Sequence, residues 1–167
     1  MKTWRVFAAV AAALVIGTSD ARAQAFGVQG SWGDDSDFGI GARLELGVPN
    51  LLTSTGPLAN TYVIGSFDWF FPDNDQIDFD YWEINLNLAV PITATSIDPY
   101  AGLGLNIAHI SVDALGDDGS DTEVGLNLLG GLRFNLGTLG AFTEGRFELG
   151  GGEQFVLTFG VLVGGTR

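Results

Sequence analysis

Ser111 lies two residues after His109, the only histidine in the chain. In an extended strand, residues i and i+2 point to the same side. The imidazole is then placed to take the hydroxyl proton while Ser111 attacks an acyl ester. Such a pair needs a carboxylate to orient the ring, and Asp113 has the parity to supply one. The competing reading is that His109 only marks the end of an apolar band. The other reactive groups are carboxylates: Asp73 and Asp75, then Asp117, Asp118 and Asp121. Calcium and magnesium favour such oxygens. Neither Asp73-Asn74-Asp75 nor Asp117-Asp118-Gly119 has the spacing of an EF-hand loop, so a solvated acidic rim is the expectation. With no cysteine, thiolate chemistry and disulfides are excluded. No cofactor is expected.

The elements that carry these residues are strands. From Glu123 to Leu136, Val124, Leu126, Leu128, Leu132, Phe134 and Leu136 share one parity, with Gly130 the small member. Glu123, Gly125, Asn127, Gly131, Arg133 and Asn135 share the other, interrupted by Leu129. A two-residue period is the signature of a strand with one apolar and one polar face. The same pattern recurs over Ala25 to Gly33, Phe38 to Val48, Tyr62 to Phe71, Tyr81 to Val90, Tyr100 to Val112, Ala141 to Leu149 and Glu153 to Gly164. The expected fold is all-β: a transmembrane antiparallel up-and-down β-barrel of about eight strands.

Alternation alone does not say which face is inside, since a soluble lipocalin-like barrel has the same pattern reversed. Three features decide. An eight-stranded barrel has room only for its own side chains, and the polar parity of Gly, Ser and Asn fits where the Leu/Phe parity does not. The strand charges, Arg43, Arg133 and Arg146 with Glu45, Asp68, Glu83, Glu144 and Glu148, all fall on the polar parity. An arginine facing lipid at the midplane would cost roughly 2–4 kcal/mol, whereas in the lumen these groups can pair. Finally, Trp32, Trp69, Trp82 and Tyr81 sit at strand ends, where an interfacial aromatic girdle belongs. The lumen is expected to be filled and to conduct nothing.

Residues 1–23 read as a signal peptide: Lys2 and Arg5, an apolar run from Val6 to Gly17, then Ala21-Arg22-Ala23. The apolar run is too short to cross a bilayer as a helix. The barrel domain is expected over residues 24–167. Formal net charge is −13; Lys2, Arg5 and Arg22 against Asp20 leave −15 on the remainder, which has no lysine. Nucleic acid is excluded as a partner, because no basic footprint exists. Acid also segregates by connection. Asp34, Asp35 and Asp37, the Asp73 to Asp80 run, Asp117 to Glu123 and Glu153 lie at one end, while Pro49 to Asn60, Pro91 to Ile97 and Gly137 to Gly140 are almost uncharged.

The Asp98-Pro99-Tyr100-Ala101-Gly102-Leu103-Gly104 run, the strand Gly125 to Phe134 and Glu144-Gly145-Arg146-Phe147-Glu148 resemble the OmpA/OmpX-type outer-membrane β-barrel family. The resemblance implies a monomeric eight-stranded barrel in the cell outer membrane, with a packed polar interior. It implies contact with outer-membrane lipid and lipopolysaccharide, and insertion by the outer-membrane assembly machinery. The chain departs from that family in ending Gly164-Gly165-Thr166-Arg167 rather than on an aromatic residue, and a second, peptidoglycan-binding domain is not expected. A His-x-Ser pair facing lipid is also similar to the PagL-type lipid A deacylases, though the flanking sequence does not match. The expected function is a structural or surface-interaction role, with a lipid A acyl hydrolase using His109 and Ser111 as the rival.

Overall fold

The computed structural model describes residues 22–72, 78–92, 97–114, 117–150 and 153–164. Eight strands run in chain order: β1 (Arg22–Gly33), β2 (Asp37–Gly47), β3 (Tyr62–Phe70), β4 (Asp78–Pro91), β5 (Ile97–Ala114), β6 (Asp117–Leu136), β7 (Leu139–Leu149) and β8 (Phe155–Gly164). Each pairs antiparallel with the next, and β1 pairs with β8 from Ala25↔Gly164 to Gly33↔Val156, which closes the barrel. Closure leaves no sheet edge along the barrel body.

The two-residue period sorts the side chains. On β6, Val124, Leu126 and Leu128 are 66%, 57% and 56% exposed, whereas Asn127 and Leu129 are 2% and 4% exposed. The outside is therefore apolar, and the inside holds the buried polar and charged residues. This orientation excludes a Leu/Phe-lined lipocalin-like cavity. Phe26, Val28, Leu103, Leu105, Phe159 and Val161 continue the outer band around the barrel.

The inner wall is not wholly polar. Tyr62, Ile64, Ala89, Tyr100 and Leu129 pack together, as do Phe70, Tyr81, Ala108 and Val156. Glycine makes this packing possible: a Cβ on Gly131 would strike the Tyr100 ring, and one on Gly160 the Phe142 ring. Tyr81, expected in the outer aromatic girdle, belongs to this inner set and is 8% exposed. It shares the parity of Glu83, and β4 starts three residues earlier, at Asp78, so Tyr81 is not the strand's free end.

The strands β4, β5 and β6 overrun the sequence expectation. Asp117, Asp118, Asp121 and Glu123 lie within β6 rather than in a loop, paired with Ala114, Asp113, Ile110 and Ala108 of β5. The hairpin projects past the barrel body, where both faces are wet and no apolar alternation is required. At the opposite rim, the long connection between β2 and β3 folds back on itself. Val48 N donates to Thr61 O and Asn50 N to Ala59 O, and Pro57–Asn60 forms a single 3-10 turn.

Candidate functional site

The charged lumen residues separate into two clusters. The first lies toward the uncharged rim, where β2 ends and β5 begins. Arg43 Nε donates to Glu45 Oε1 at 2.9 Å, and its Nη1 donates to Glu144 Oε2 at 2.9 Å. Arg133 pairs with the second oxygen of Glu45. Tyr100 joins them, its hydroxyl donating to Glu144 at 2.8 Å and accepting from Arg43 at 3.2 Å. Aromatic faces complete the shell: Arg43 sits 4.1 Å from the Phe142 centroid and Arg133 4.6 Å from that of Tyr62. Two cations meet two carboxylates here, so formal charge balances.

The second cluster lies toward the acidic rim. Arg146 donates to Glu148 at 2.7 Å and to Glu83 at 2.9 Å, with Asp68 at 4.0 Å. One cation therefore serves three carboxylates, and neutral donors supply the rest. Gln29 Nε2 and Ser31 Oγ donate to Asp68 at 2.7 and 2.8 Å. Tyr81 donates to Glu83 at 2.6 Å. Gln154 Nε2 donates to Glu83 at 2.6 Å and to Glu148 at 3.0 Å, while its Oε1 accepts from Ser36 at 2.7 Å. Gln154 thus ties the β1–β2 connection to three strands at the mouth.

All eight lumen residues expected from their parity, Arg43, Glu45, Asp68, Glu83, Arg133, Glu144, Arg146 and Glu148, are buried inside the barrel. The expectation missed Tyr81, Tyr100, Gln29, Ser31 and Gln154. Parity was available for each, but a neutral side chain gives no signal of its own in a list of charges. Asn85, Asn87, Asn106 and Asn127 form an amide patch on the wall of β4 to β6. Asn127 Nδ2 donates to Asn85 and Asn87 at 2.8 and 2.9 Å.

The candidate nucleophile is arranged differently. His109 lies on the outside, with its ring 4.8 Å from that of Trp82 and its Nδ1 2.7 Å from Thr122 Oγ1. No hydrogen bond joins it to Ser111 among the described residues; Ser111 sits in register with Asp80 and Ser120. The side chain of Asp113 lies outside the described residues, as do Asp73, Asp75 and the side chains of Asp117 and Asp118. The Asp121 carboxylate accepts from Thr122 N at 2.8 Å. No group of three metal-ligating side chains occurs among the described residues.

No protein-family model and no curated protein sequence matches the chain. Solved structures do. The N-terminal β-barrel domain of Pseudomonas aeruginosa OprF matches with TM-score 0.66 and 12% identity, over 86% of this chain and 98% of that one. Ail, the attachment invasion locus protein of Yersinia pestis, matches with TM-score 0.58 and 19% identity, over 86% and 95%. Neisserial surface protein A matches with TM-score 0.58 and 17% identity, over 84% and 95%. Ail also matches as its complex with the heparin analogue sucrose octasulfate, at TM-score 0.52. At these identities the likeness establishes the fold, the closed eight-stranded barrel found in outer-membrane proteins.

Proposed function

We propose that this chain is a small monomeric outer-membrane β-barrel protein with a sealed lumen, acting in a structural or surface-interaction role. One observation carries the reading: the outer surface is a band of Leu, Val, Ile and Phe, while Arg43, Arg146, Asp68, Glu83 and Glu144 are buried inside. Water would favour the reverse arrangement, and a hydrocarbon surround favours this one. The band would contact outer-membrane lipid and lipopolysaccharide after insertion by the assembly machinery. The acidic connections would then face outward as a charged rim. Repulsion by that rim argues against a polyanion such as the heparin analogue seen with Ail.

The lumen is crossed by two ion-paired clusters, so ion flow is not part of the reading. The test is fractionation followed by gel electrophoresis of unboiled and boiled samples, with planar-bilayer recording of the purified protein. Outer-membrane location, a heat-dependent band shift and no conductance are expected. A periplasmic protein without a shift would overturn the membrane reading, and steady conductance would overturn the sealed lumen. The acyl-hydrolase reading gains no support from His109, whose Nδ1 engages Thr122 and whose ring stacks on Trp82. Ser111→Ala is expected to leave lipid A acyl content unchanged by mass spectrometry.

A further inference from the structure

The barrel is closed along its body, but the projecting hairpin is not. β6 pairs with β5 along its whole length, from Asp117↔Ala114 to Phe134↔Ile97. It pairs with β7 only from Leu126↔Leu149 onward. The stretch from Asp117 to Gly125 therefore has a strand on one side and none among the described residues on the other. At ~3.3 Å per residue this edge is about 27 Å long. The connection from Gly150 to Gln154 is too short to run along it.

The main-chain groups on that side are directed outward. Thr122 N donates to the carboxylate of Asp121, its own neighbour in sequence, rather than to a strand. In an antiparallel ladder, alternate residues direct both backbone groups to the same side. Ser120 and Val124 consequently face the same way as Thr122, and all three are exposed. An unpaired edge of this kind is a template for an added strand.

The flanking charge says what kind of strand fits. Asp121 and Glu123 are exposed beside the edge, and Asp34, Asp35, Asp80 and Glu153 are exposed at the same rim. The arginines Arg43, Arg133 and Arg146 are buried in the lumen and give this rim no positive charge. A second copy of the chain would bring Asp121 and Glu123 against their like. We propose that the β6 edge from Asp118 to Val124 is a docking site for an extended, basic segment of a partner protein, which adds to the sheet as a ninth strand. The proposal rests on the preceding reading, in which this rim faces outward from the cell.

The partner is unidentified, so the probe is a labelled peptide, acetyl-Lys-Val-Lys-Thr-Lys-Val-Lys-amide, titrated against the full-length barrel in detergent micelles by fluorescence anisotropy. A fully N-methylated twin keeps the charge and loses every backbone donor. Saturable binding of the parent is expected, with the twin at least about tenfold weaker, the effect of one to two lost hydrogen bonds. Thr122→Pro removes an amide from the free side and none from the β5 side, and should weaken parent binding about as much. Asp121→Asn with Glu123→Gln should weaken it several-fold and flatten its salt dependence. Each variant is checked for the heat-dependent band shift, so loss of the barrel is read separately from loss of docking. Equal binding of parent and twin would reduce the effect to charge adsorption and overturn the proposal, as would no binding at all. A concentration-dependent dimer abolished by Thr122→Pro would assign the edge to a second copy instead.

Discussion

The two ends of the lumen solve the same problem with different means. Near the uncharged rim, Arg43 and Arg133 face Glu45 and Glu144, and ionic charge balances within the cluster. Near the acidic rim, Arg146 alone serves Asp68, Glu83 and Glu148. There the deficit is met by neutral donors from Gln29, Ser31, Tyr81 and Gln154. Burying an ion requires both a counter-charge and filled hydrogen-bond positions. The first cluster is redundant in cations, and the second hangs on one. Removal of one partner from a buried pair is far more costly than replacement of the whole pair, so the two ends should respond unequally to equivalent mutations.

The largest effect should come from Arg146→Met. It leaves three buried carboxylates without a cation and should destabilise the barrel by about 3–5 kcal/mol or more. Urea titration in lipid vesicles, followed by the band shift, measures it. Arg43→Met should cost clearly less in the same titration, since Arg133 remains on Glu45. Equal losses would remove the distinction between the clusters. Adding Glu83→Gln and Glu148→Gln to Arg146→Met should recover part of the loss, because the uncompensated charges go with the cation.

Gln154→Ala should cost about 1–3 kcal/mol, by leaving Glu83, Glu148 and Ser36 short of partners. Tyr100→Phe, in the balanced cluster, removes one hydroxyl whose partners keep other contacts and should cost only about 1 kcal/mol. If Tyr100→Phe proved worse than Gln154→Ala, neutral donors would matter more where charge already balances, contrary to this account.

Much of this architecture is legible in the chain, because a strand face is set by parity alone. Val124, Leu126 and Leu128 against Asn127 already separate outside from inside, and Arg43, Glu144 and Arg146 already fall on the inner parity. Partnership is another matter. Arg43 and Glu144 stand 101 positions apart, and their contact depends on strand register and closure, which no local pattern encodes. Tyr81 was misplaced because its position near a strand end was weighed above its parity with Glu83. The projecting part of β6 was read as loop because Asp117 to Thr122 lack an apolar face. With water on both sides, pairing to β5 needs none. The fold of the β2–β3 connection was equally hidden, since it rests on backbone bonds such as Asn50 N to Ala59 O.

The most direct test of the account is an accessibility scan along β6, which the cysteine-free chain permits without background. Single cysteines at positions 124 to 129, labelled with a nitroxide in lipid vesicles, are compared for contact with oxygen and with a water-soluble nickel complex. The account predicts that labels at Val124, Leu126 and Leu128 meet oxygen and escape nickel, while those at Asn127 and Leu129 are immobilised. Free access of nickel to the Leu126 and Leu128 positions would mean that the apolar face is not in lipid, and would contradict it.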